Sequence, residues 1–230
     1  MSDVNRVRAV EEWYSGGAEA AGRKSRVLNP FSMVYDREKT GNAAFSLRRP
    51  MTREIVVIAA MAAIAVAGRA AFFMTPTFKP VCAVVIIAAV SFGAVPGCIV
   101  GVLSMLASNI IFGQGPWTIF QMTAMGLVGL IAGLLCRARI MPRRRVFFCA
   151  VGFMLTVFVY GAFMNVSVIF MGSYALDLKS VIMLVISGVP VDVTHGLATF
   201  VFLWIGAEPL IYEACRLRRK HGIFALRNCS

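Results

Sequence analysis

Six apolar stretches run along the chain from Ile55 onward, and each ends at a break made by proline, glycine or charge. The first extends from about Ile55 to Met74 and stops at Thr75-Pro76-Thr77-Phe78-Lys79-Pro80. The second, about Val81 to Val95, ends at a Pro96-Gly97 turn, and the third runs from Cys98 to Phe112 before Gly113-Gln114-Gly115-Pro116. The fourth covers about Trp117 to Cys136 and meets the basic stretch Arg137 to Arg145. The fifth spans about Val146 to Met171 and the sixth about Val181 to Ala207, with Pro190 expected to kink it. A helix crossing the bilayer needs about 20 apolar residues. The pattern therefore predicts an all-α integral membrane protein of six transmembrane helices.

Composition agrees and removes the soluble alternatives. Hydrophobic residues make up 59% of the 230, charged residues only 15%, and the mean hydropathy is +0.77. An ordinary soluble domain carries about a quarter charged residues. Residues 1–53 hold ten Lys/Arg and six Asp/Glu with no sustained apolar period, which predicts a flexible polar extension. No apolar core with a cleavage site follows the start, so no signal peptide is expected there. The expected division is an extension over 1–53, a membrane domain over 54–213 and a basic tail over 214–230.

Charge then sets the orientation. Lys+Arg number 23 against 11 Asp+Glu, a net of +12. If the N-terminus is cytoplasmic, the head holds ten cations, the Arg137–Arg145 loop five, and the tail five (Arg216, Arg218, Arg219, Lys220, Arg227). That places 20 of 23 on one side and leaves Arg69, Lys79 and Lys179. Both termini are therefore expected in the cytoplasm. The surplus reflects topology and a lipid bilayer, and nucleic acid is not an expected partner.

Catalytic chemistry has little to stand on. The cysteines (Cys82, Cys98, Cys136, Cys149, Cys215 and Cys229) show no C-x-x-C pair and no histidines at ligand spacing, so no metal site is expected. There is no H-E-x-x-H, no G-x-S-x-G and no phosphate-binding loop. No catalytic residue and no cofactor are assigned. A self-contained facilitator, or an intramembrane enzyme using Asp192 and His195, is the competing class.

The candidate residues cluster at the outer face. Arg69 lies near the outer end of the first helix, and a charge held in the hydrocarbon costs about 2.5–3.5 kcal/mol even on insertion scales. It snorkels, pairs with an acid such as Asp192, or meets a ligand anion. Phe78 and Lys79 lie in the first external connection. Ser108-Asn109 and then Gln114, Trp117 and Gln121 put three amides and an indole near a Pro-fixed turn, a combination suited to a ring-bearing, amide-rich ligand. Asp192 and His195 stand three apart on the last helix and share a face. The first helix also carries Ala59, Ala63 and Ala67 at four-residue spacing. Such small-residue rows let membrane helices approach closely, within the chain or against a separate subunit.

Taken together, Gly68-Arg69-Ala70-Ala71-Phe72-Phe73, Phe78-Lys79-Pro80, Ser108-Asn109, Gly113-Gln114-Gly115-Pro116-Trp117-Thr118 with Phe120-Gln121-Met122, and Asp192-Val193-Thr194-His195-Gly196 resemble the substrate-binding S components of energy-coupling factor (ECF) vitamin transporters. The resemblance covers about Ile55 to Tyr212, and Ile119 stands where relatives often carry proline. It implies a multi-pass protein of a bacterial or archaeal cell membrane that captures a vitamin outside. It also implies a transmembrane T subunit docked on the alanine row and two ATPase subunits that supply the energy. Arg69, Phe78, Lys79, Asn109, Gln114, Trp117, Gln121, Asp192 and His195 are the substrate-binding residues it suggests. Cobalamin is the favoured vitamin and riboflavin the alternative.

Overall fold

A computed structural model of the chain describes residues 52–75, 77–138, 140–141, 144–172, 178–221 and 223, with 178–181 and 219 described at the backbone alone. The expected polar extension lies almost wholly outside the described residues, as do the last residues of the tail.

Among the described residues, six helices make up the fold. They are α1 (Thr52–Ala71), α2 (Val81–Phe92), α3 (Ala94–Phe112), α4 (Trp117–Arg137), α5 (Arg145–Met171) and α6 (Leu178–His221). Five are long and apolar enough to cross a membrane, and α2 is a shorter apolar helix. The protein is an all-helical, six-helix, multi-pass membrane protein.

The second helix organises the rest. All twelve residues of α2 are buried, including Val85, Ile86 and Ala88 at 0% exposure. A helix apolar on every side belongs where every side is covered, and α1, α3, α4 and α6 all pack against it.

The α2–α3 boundary differs from the expected Pro96-Gly97 turn. The chain turns at Gly93, whose φ of 116° is a left-handed conformation that only glycine adopts cheaply. Pro96 falls in the first turn of α3, where a missing N–H leaves no bond unmade. Gly97 is then free to pack. Along the α3–α4 seam, a Cβ on Gly101 would lie 2.5 Å from the Met125 carbonyl oxygen, and one on Gly126 would lie 2.9 Å from a Val102 methyl. The two backbones are nearly in contact.

The two last helices depart from simple spans. Within α5, Leu155–Gly161 winds as a π-helix, which shifts the side chains beyond it around the axis. Helix α6 continues unbroken through Pro190 and Pro209 to His221. Its 44 residues extend about 66 Å, roughly twice the hydrocarbon thickness. The buried row Leu203, Ala207, Ile211, Ala214 explains why it runs past the expected limit at 213. Arg145, at the start of α5, clamps it. The guanidinium stands 4.5 Å over the Trp204 ring, donates to the Trp204 carbonyl and pairs with Glu208 at 3.4 Å.

Candidate functional site

At the opposite end of the bundle, a chain of polar side chains crosses from helix to helix. It begins at Arg69 in the last turn of α1. The Arg69 Nη1 donates to Ser108 Oγ at 2.6 Å and to Asn109 Oδ1 at 2.9 Å, both on α3. Its guanidinium also stands 5.8 Å from the Phe112 ring centroid. Asn109 is fully buried. Its Nδ2 donates to Thr118 Oγ1 at 3.1 Å and to Gln121 Oε1 at 2.8 Å, both on α4. The π-helical turn of α5 carries the buried Tyr160. The Tyr160 ring lies 5.3 Å from that of His195 on α6. In the low dielectric of the bundle each of these bonds is stronger than in water.

The glycine-rich turn is tied into the same chain. The Gly115 N–H donates to Thr118 Oγ1 at 3.4 Å, and Trp117 folds its indole back over Gly115. Beside the chain, Phe72, Phe78 and Phe202 form an aromatic cluster with centroid separations of 5.1–6.3 Å. Lys79 is within electrostatic reach of both Arg69 and His195. Partial burial, and secondarily the Arg69 charge, hold its ammonium below the usual lysine range.

The structure thus brings together Arg69, Asn109 and Gln121, with Lys79, Phe78 and His195 beside them. It does not bring in every expected residue. Gln114 and Trp117 are exposed on the turn. Arg69 does not meet Asp192, whose Oδ2 instead accepts from Asn165 Nδ2 at 3.0 Å. Asp192 also lies against Gly161, where a Cβ would come within 2.6 Å of its carboxyl carbon. His195, for its part, faces Tyr160, and its Nδ1 is buried without a hydrogen-bond partner. Tyr160 and Phe202 were not expected from sequence, and Phe72 and Thr118 stood in the motifs without being assigned to the site. A phenol inside the apolar run Leu155–Gly161 was the available signal, but the π-turn hides which face it takes.

The alanine row has a clear placement. Ala59, Ala63 and Ala67 are exposed, while Ile58, Met61, Ala62 and Ala65 on the other face of α1 are buried. Among the described residues, no group of three or more metal-ligating side chains comes together.

A bundle of apolar helices with a polar, aromatic-flanked chain at one end defines a multi-pass membrane protein of the solute-handling kind. The family model described as ECF-type riboflavin transporter, S component, matches residues 49–211, more than two thirds of the chain, and the protein belongs to that family. No curated protein and no solved structure matches it. The family is one of transport subunits, so the protein is an S component and not an enzyme.

Proposed function

We propose that this S component captures a vitamin at the outer end of the bundle and delivers it through a T subunit driven by two ATPase subunits. The observation that carries this reading is the polar chain Arg69–Asn109–Gln121, with Lys79 beside it and an aromatic cluster on its flank. A bundle of this kind needs no buried polar chain to hold together, since its α3–α4 glycine seam already packs backbone to backbone. Polar groups so placed serve best if they exchange some of their hydrogen bonds with a ligand.

Cobalamin is the cargo we favour. Arg69 and Lys79 lie close enough to influence each other, and among the described residues neither is ion-paired with a carboxylate. A phosphodiester would supply the missing negative charge, and cobalamin carries one together with peripheral carboxamides. Riboflavin is the second reading, favoured by the family's description; it offers a flat ring for the Phe72–Phe78–Phe202 cluster but no anion.

On the partner side, the exposed row Ala59, Ala63 and Ala67 is the docking face we assign to the T subunit. Calorimetric titration of the detergent-purified chain with cobalamin and with riboflavin tests the proposal. Saturable binding of cobalamin is expected. Binding of riboflavin alone would transfer the cargo assignment, and binding of neither would overturn the function.

A further inference from the structure

Beyond the π-helical turn, α5 and α6 meet through two glycines and two polar side chains set in a reciprocal pattern. On α5, Gly161 and Asn165 stand four residues apart, and on α6 Gly188 and Asp192 do the same. Residues at that spacing share a helix face. The Asp192 carboxyl group lies over Gly161, where a Cβ would come within 2.6 Å of its carboxyl carbon and 2.7 Å of Oδ2. The Asn165 carboxamide lies over Gly188 in the same way, with Oδ1 nearest to where a Cβ would stand. The two polar groups then join, Asn165 Nδ2 donating to Asp192 Oδ2 at 3.0 Å. Each helix thus provides the socket for the other's polar side chain.

The π-helical winding is what turns Gly161 towards α6. Earlier along α5, the Thr156 hydroxyl meets that of Thr199 on α6 at 3.0 Å, and both side chains are fully buried. Thr156 and Gly161 are five residues apart, which in an α-helix is about 1.4 turns and would set them on different faces. A π-helix closes its hydrogen bonds between residues five apart and so brings them to one side. Wound this way, α5 ties to α6 twice, at the threonine pair and at the first glycine socket. Between those ties stand Tyr160 on α5 and His195 on α6, with ring centroids 5.3 Å apart. A polar pair in an otherwise apolar helix interface specifies register, because any slide strands both groups in apolar surroundings.

We propose that this interlock sets the register of α5 against α6, and that Asn165 and Asp192 are positioning residues for the vitamin site. They act through the sockets at Gly161 and Gly188, and by fixing the two helices they hold Tyr160 against His195. Asp192 contributes through its shape and its bond to Asn165 rather than as a charge offered to the cargo. The inference rests on the vitamin-capturing function proposed above.

Variants of the full chain, purified in detergent, test it by thermal melting and by titration with cobalamin and riboflavin. Gly188→Ala should push Asn165 from its socket and weaken the vitamin that binds by about fivefold. Asn165→Ala should cost about the same, and the double variant no more than Asn165→Ala alone, since the socket then has nothing to hold. Asp192→Ala should also weaken binding, whereas Asp192→Asn, which keeps the shape and an oxygen for Asn165, should recover most of that loss.

Additive losses in the Gly188–Asn165 pair would overturn the interlock. Asp192→Asn as damaging as Asp192→Ala would make the charge itself the contributing group and overturn the positioning role. A lowered melting temperature with affinity unaltered would reduce the interlock to a matter of fold and overturn that role too, with the S-component function left standing. Should Gly188→Ala fail to fold, the comparison of Asp192→Asn with Asp192→Ala decides. Wild type that binds neither vitamin would overturn the function and this inference together.

Discussion

Helices α1 and α3 each carry a row of small residues, and they use them in opposite ways. On α3, Gly97 and Gly101 face inward: a Cβ on Gly101 would strike the Met125–Gly126 backbone of α4, one on Gly129 of α4 would strike the Gly97 backbone, and one on Gly97 itself would strike Ala89 of α2. On α1, Ala59, Ala63 and Ala67 face outward, with Ile64 exposed beside them. Lipid tails are as apolar as leucine, so an apolar face gains nothing by leaving lipid, and small rows matter because they permit close backbone approach. The same sequence device is therefore consumed within the chain on one helix and left available on the other. What decides between them is whether the chain supplies a partner: α3 has α4, whereas the buried side of α1 already packs on α2 and α3.

Substitutions should separate the two rows sharply. The largest effect is expected from Gly101→Leu, whose Cβ would start 2.5 Å from the Met125 carbonyl oxygen. With backbone on both sides nothing can give, and a loss of about 3 kcal/mol or more should appear as aggregation or a collapsed melting transition in detergent. Ala63→Trp should do the reverse, preserving melting and ligand titration while abolishing co-purification with the T and ATPase subunits. If Ala63→Trp unfolds the protein, the α1 row is internal and the contrast is lost.

The next effect concerns the point where the two helices are joined. Arg69→Gln removes a charged donor from Ser108 and Asn109, and hydrogen bonds to charged groups contribute about 1.5–3 kcal/mol each. Ligand affinity should fall by about 10- to 100-fold in calorimetry, with assembly on the T subunit unaffected.

The smallest effect is a pH dependence at Lys79. Its ammonium titrates below the ordinary lysine value because of burial first and Arg69 second. Between the folded and unfolded values the unfolded chain binds more protons, so stability should rise slightly as pH climbs through that alkaline interval. Ligand affinity should fall over the same interval, since the donor charge is being lost. Both trends should vanish in Lys79→Met, measured by melting and titration across the alkaline range.

Much of the fold was legible because hydrophobic runs of membrane length leave few alternatives. The observed limits of α1, α4 and α5 differ by a few residues from the apolar runs that predicted them. The α2–α3 boundary was misplaced because Pro96-Gly97 has the form of a turn, yet a proline in the first helical turn breaks nothing, while Gly93 carries the bend alone. The site was partly legible. Intramembrane Arg69, Asn109 and Gln121 stand out as costly polar groups, and the structure joins them. Gln114 and Trp117 looked equally suitable, but a turn residue can point either way, and sequence does not record which. Tyr160 escaped notice because side-chain direction beyond Leu155 depends on a π-turn that no residue pattern announces. Asp192 was a plausible mate for Arg69 by charge, but Asn165 on the adjoining helix lies nearer.

The enclosure of α2 has a consequence for how this protein is made. At twelve residues, about 18 Å, it is too short to rest alone across a bilayer. It is joined directly to α3 through the Gly93 turn, and α3 supplies part of its covering. Helix α6 forms part of its covering. The innermost element is therefore among the first translated and the last to be sealed, and the interior is finished only after the final helix has left the ribosome.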